Sequence, residues 1–156
     1  EAAGASLVNA PRKGLRIGTS LADLEAAWRE REEEAKAMAE RGFLSTSVSL
    51  RIYSLEIRLK SLVCKRLDLF SLPAVCKTHE LDEILIYTGL QREIEDPSRS
   101  SIQLNWNLLV NYSKKLLNDQ RYKPRGAYSQ EEADQINQAL DDPNSGVLAW
   151  LSSDRP

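Results

Sequence analysis

Two cysteines and one histidine in 156 residues are a small stock of reactive groups, and that scarcity removes several kinds of chemistry at once. Cys64 and Cys76 sit in or near apolar, helix-like sequence, which argues against a secreted disulfide framework and for a reducing cytoplasm. With His79 as the lone histidine, no ligand spacing for zinc can be assembled, and the acidic residues scatter along solvated faces; neither a metal nor another cofactor is expected. Cys76 has His79 close behind it in sequence but no third group to orient the pair, so a cysteine nucleophile is poorly supported. No apolar run approaches the roughly 18 residues of a membrane helix. No signal-like apolar segment stands near the start, so a membrane role is not expected. A strong excess of one charge is also missing. The formal net charge of −2 gives no basic footprint for duplex nucleic acid, although a local basic patch remains open. Glycine is sparse, and its two small clusters, Gly14 to Gly18 and Asn144 to Gly146, lack the lysine-serine/threonine ending and the preceding strand of a phosphate loop. The chain opens on Glu1 rather than methionine, the start expected of a trimmed or processed protein.

What remains is helical. Hydrophobic residues make up 42% of the chain and charged residues 28%, a globular composition, and the length suits one domain. Residues 1–18 mix glycine, proline and small residues without either period and read as an extended arm; residues 19–156 read as a single bundle domain. A first helix is expected from Ser20, where Ser-Leu-Ala-Asp has capping-box spacing, to about Glu40, with Gly42 just past its end. Its apolar stripe is Leu21, Leu24, Trp28, Ala35 and Met38. The strongest pattern runs from Ser47 to Leu69, where Ile52, Leu55, Leu59, Leu62 and Val63 recur at helical spacing with no glycine or proline. Thr78 offers a cap for a short third helix ending before Gly89, and a loop follows from Leu90 to Ser101. The next helix, Ile102 to Asn118, has Trp106, Leu109, Val110, Leu116 and Leu117 on one face and Leu104, Leu108 and Tyr112 on another. That doubled face suggests burial against both the bundle and a second subunit. Ser129-Gln-Glu-Glu repeats the capping-box spacing ahead of a helix to about Leu140, and Val147 to Leu151 forms a last apolar turn. Long helices joined by short loops imply an antiparallel up-and-down bundle of four to five helices, all-α, with no competing strand signal.

Three segments, in this order, resemble the HEPN family: Tyr53-Ser-Leu-Glu-Ile-Arg-Leu-Lys-Ser-Leu-Val, Lys77-Thr-His-Glu-Leu, and Arg121-Tyr122 followed by an alanine-containing helix and the terminal Trp150-Leu151. The resemblance covers residues 45 to 152. It implies a four- or five-helix bundle that is usually a homodimer, often paired with a nucleotidyltransferase partner or acting in toxin–antitoxin and defence systems. Active members cleave RNA with an arginine separated from a later histidine by four to six residues. The chain departs from that pattern, because His79 is its only histidine and the positions that would hold the arginine are Leu72, Pro73 and Ala74. Metal-independent RNA cleavage needs a group that exchanges protons near neutral pH, so the ribonuclease machinery is not expected.

The basic residues carry the functional expectation. Arg51, Arg58 and Lys65 recur every seven residues beside the apolar stripe, an edge suited either to phosphate or to ion pairs with the acidic side of the first helix, the second being preferred. Glu56 and Lys60, four apart, suit an intrahelical pair. By resemblance Arg121-Tyr122 packs the connector onto the bundle. Its arginine, with Lys123 and Arg125, is also placed to hold a phosphate. His79, at a helix start, is expected to anchor free N–H groups or the neighbouring loop rather than to catalyse. The preferred reading is a noncatalytic, dimeric HEPN-like domain that binds a partner protein or a nucleotide-bearing ligand, with Arg51, Arg58, Lys65, Arg121 and Arg125 as phosphate contacts. The alternatives are a ribonuclease with a degenerate site at His79, and a structural interaction domain of a larger assembly.

Overall fold

A computed structural model describes residues 19–124 and 127–155, with nothing stated for the side chain of Arg121. The expected arm at residues 1–18 lies outside the described residues. The rest is helical, as the periodicity implies: α1 (Leu21–Glu40), α2 (Leu44–Arg66), α3 (Leu81–Thr88), α4 (Gln91–Ile94), α5 (Ser100–Asn118), α6 (Gln130–Asp141) and α7 (Val147–Leu151). Four helices are long and three are short, and the described residues contain no strand, only an isolated antiparallel bridge between Ser20 and Ser71.

Helices α1 and α2 form a long hairpin around Gly42, which sits at φ 80° just past the α1 terminus. Ser20 starts α1 by accepting a hydrogen bond from the Asp23 N–H at 3.1 Å. The α2 stripe of Val48, Ile52, Leu55, Leu59 and Val63 is at most 2% exposed. Burying each such side chain contributes about 1.5–3 kcal/mol. On the α1 side, small residues let the two backbones approach. Ser47 Oγ donates to the Ala35 carbonyl and Ser54 Oγ to the Trp28 carbonyl, both at 2.7 Å, so two hydroxyls on α2 are satisfied by α1. Helix α2 starts and stops three residues earlier than expected, because its end is set by the Leu67–Asp68 turn, with Asp68 at φ 53°. The bridge then ties the start of α1 to the chain leaving α2: the Leu21 N–H donates to the Phe70 carbonyl at 2.8 Å and the Leu72 N–H to the Thr19 carbonyl at 2.9 Å.

Thr78 does not cap α3. Glu80 holds the N-cap position without a side-chain hydrogen bond, and Thr78 Oγ1 accepts from the Glu80 N–H at 3.1 Å while donating to Glu83 at 2.8 Å. The expected loop after Gly89 contains α4 and a 3-10 turn at Pro97–Arg99, so α5 begins at Ser100. The buried face of α5 is Trp106, Leu109, Val110 and Leu116. Its second face is largely covered from within the chain: the Tyr112 hydroxyl donates to Gln135 on α6 at 2.9 Å, Leu108 packs on the core, and Leu104 alone stays open, at 70% exposure. Ser129 and Glu132 complete a reciprocal capping box at the start of α6. Gly146 joins α6 to α7 where a Cβ would lie 2.3 Å from the Asp142 carbonyl oxygen, so only glycine fits.

Candidate functional site

The basic edge of α2 meets a different environment at each of its three positions. Arg51 is absorbed by structure. Its Nε donates to Glu32 at 3.1 Å, Nη1 to Asn137 at 2.9 Å, and the fork grips Asp141 with two bonds of 2.6 Å. One arginine thereby joins α1, α2 and α6, and little of its donor set is left for a ligand. Burial would lower its pKa, but the bonds and charges of Asp141 and Glu32 outweigh burial and hold it above the ordinary value.

Arg58 is in the opposite position. Its guanidinium lies over the Trp28 ring, 4.7 Å from the centroid, and its Nη2 donates to Ser152 Oγ at 2.6 Å. No carboxylate comes within ion-pair distance of it among the described residues. Burial pushes its pKa down and the nearby Arg29 charge adds to that, against the weaker pull of Glu32 and Glu25. Arg29 shares the same indole, its guanidinium 4.6 Å from the centroid. Lys65 reaches Glu25 Oε1 at 2.7 Å and Arg29 reaches Glu25 Oε2 at 2.8 Å. Burial would raise the Glu25 carboxyl, but hydrogen bonds from Lys65 and Ser61 and the Lys65 charge hold it below the ordinary value. Two cations therefore share one carboxylate, with Arg58 as a third beside them, around a cavity of about 320 Å3 that Ser61, Leu151 and Ser152 help to line.

The remaining expected residues fall elsewhere. The side chain of Arg121, and Arg125 as a whole, lie outside the described residues. Tyr122 is 73% exposed; the buried tyrosine of the connector is Tyr128, at 4%. His79 anchors neither helix N–H groups nor its loop. Its Nδ1 lies 3.0 Å from Glu56 Oε1, the same oxygen that takes Lys60 Nζ at 2.7 Å, and its side chain is 69% exposed. Glu56 and Lys60 thus form the intrahelical pair expected of their spacing, in largely buried surroundings. Burial raises the thiol pKa of both Cys64 and Cys76, which keeps them as inert thiols. Among the described residues, no three His, Cys, Asp or Glu side chains converge as metal ligands.

Trp28 is the residue of this cavity that periodicity conceals. Its spacing from Leu24 and Ala35 places it in the core stripe, yet its ring serves as a platform for two arginines. The following Arg29 is a local signal of that role, but Arg58 arrives from another helix, and no single-helix pattern encodes the pairing. No protein-family model, curated protein or solved structure matches the chain.

Proposed function

We propose that the chain is a noncatalytic, HEPN-like binding domain that takes a phosphate-bearing anion in the cavity around Arg58 and Trp28. The observation that carries this reading is the half-buried guanidinium of Arg58, stacked on an indole and without a carboxylate, beside Arg29 and Lys65, which already share Glu25. The Arg58 guanidinium has carboxylates near it but none in ion-pair contact, and a phosphate dianion offers acceptor oxygens to its fork. Arg58 lies within the α2 segment that carries the family resemblance. The noncatalytic part is supported by His79, whose Nδ1 is engaged by Glu56 and whose preceding residues supply no arginine at the family spacing.

The test is a titration with inorganic pyrophosphate followed through the Trp28 indole N–H signal. A saturable shift that weakens with added salt and falls at least tenfold in Arg58→Gln is expected; no saturable shift sinks the reading. Sedimentation of the same sample reads whether two copies pair, as the resemblance implies, and a single-copy mass removes the dimer from the proposal. Incubation with RNA without metal is expected to leave the RNA intact. Fragments that vanish in His79→Ala would replace this reading with the ribonuclease one.

A further inference from the structure

The Arg58 cavity carries a carboxylate on its own wall, a group that works against the binding of any anion. Glu25, its side chain 16% exposed, bridges the two outer cations: Lys65 Nζ lies 2.7 Å from Oε1 and Arg29 Nη2 lies 2.8 Å from Oε2. The cations are the solvent-facing members of this trio, with side chains 57% exposed for Arg29 and 50% for Lys65. Arg29 has a second hold. Its Nη1 donates to the Glu25 main-chain carbonyl at 3.0 Å, so breaking its bond to the carboxylate leaves it at the cavity.

Charge on the lining is unequal. Arg29, Arg58 and Lys65 stand there with a single carboxylate, an excess of two positive charges among the lining residues. Glu32, whose charge also reaches Arg58, is itself engaged by Arg51 at 3.1 Å. A phosphomonoester is a dianion above about pH 6 and matches that excess, whereas a phosphodiester brings one charge only. Glu25 opposes either guest. It already takes a donor from each outer cation, and its negative charge repels an anion that arrives between them.

We infer that Glu25 is a resident stand-in for phosphate, a built-in competitor that holds Arg29 and Lys65 until the phosphate of a phosphomonoester takes their bonds. This rests on the phosphate reading of the Arg58 cavity. Arg58, held by the Trp28 ring and Ser152, gives the guest its first donor. The exposed pair, Arg29 and Lys65, then turns from the carboxylate to the guest. A dianion is favoured over a diester because its second charge doubles its attraction to the positive excess.

The test uses the whole chain and reads the Trp28 indole N–H signal during titrations with pyrophosphate, methyl phosphate and dimethyl phosphate at about pH 7.5, where the monoester is a dianion. The parent is expected to bind methyl phosphate about tenfold more tightly than dimethyl phosphate. Glu25→Gln is expected to bind pyrophosphate about three- to tenfold more tightly than the parent does. Loss of a contact that merely positions Arg29 and Lys65 would move affinity the other way. The ester comparison needs no variant, so it decides the matter even where Glu25→Gln folds poorly. Equal affinity for the two esters, or equal or weaker pyrophosphate binding by folded Glu25→Gln, overturns the inference and leaves the phosphate reading in place. Pyrophosphate that gives no saturable shift with either protein sinks both.

Discussion

Arg51 and Arg58 stand two helical turns apart on one edge of α2, yet one closes a joint and the other faces a cavity. Their spacing in sequence is the same signal for both. What separates them is the chain far downstream, where Asn137 and Asp141 come to meet Arg51 while Ser152 alone meets Arg58. Stability should divide accordingly. Arg51→Ala is expected to cost about 1–3 kcal/mol in a urea melt, because it strands Glu32 and Asp141 beside one another without their shared cation. Arg58→Ala gives up mainly its stack on Trp28, worth about 0.5–2 kcal/mol. An equal or reversed order of the two losses would show that Arg51 is not the joint its bonds describe.

The two serine-capped helix starts were the most legible helix ends of the molecule, because capping is local chemistry. Ser20 and Ser129 cap α1 and α6 as their sequence spacing implies, and the Ser129 box is complete in both directions. Ser129→Ala is expected to lower stability by about 1 kcal/mol. Gly146→Ala should cost distinctly more, since its Cβ meets backbone that has no rotamer to turn aside; urea midpoints of the two variants read the order. Less legible were the features set by contacts across helices. Thr78 looks like a cap, but the chain continues extended through Glu80 before α3 starts. The second apolar face of α5 reads as one surface in the sequence, but α6 meets Tyr112 while Leu104 stays open. The Arg58 cavity draws its walls from segments far apart in sequence, so periodicity could name some of the residues without placing them together.

For the molecule as a whole, acid is the condition to which these contacts are most exposed. Burial would raise the Glu93 carboxyl, but hydrogen bonds from Arg155 and the Trp150 indole hold it below its ordinary 4.5. A bond from Lys115 lowers Glu132, and the backbone N–H groups of Ser145 and Asn144 lower Asp142 from 3.8. A carboxyl depressed in the folded state contributes stability above its unfolded pKa and loses it as pH falls through the folded value. Stability should therefore hold at neutral pH and decline progressively below about pH 4.5, and Glu93→Gln should flatten that decline in melts at stepped pH; an unchanged slope would remove Glu93 from the account.

The bridge between Thr19 and Leu72 has a mechanical side. Tension entering the chain at Thr19 passes through two hydrogen bonds to the connector after α2 before it bears on the first turn of α1. The bridge works as a clasp, making residues 19–72 a closed link that must be unfastened before α1 can unwind from that end.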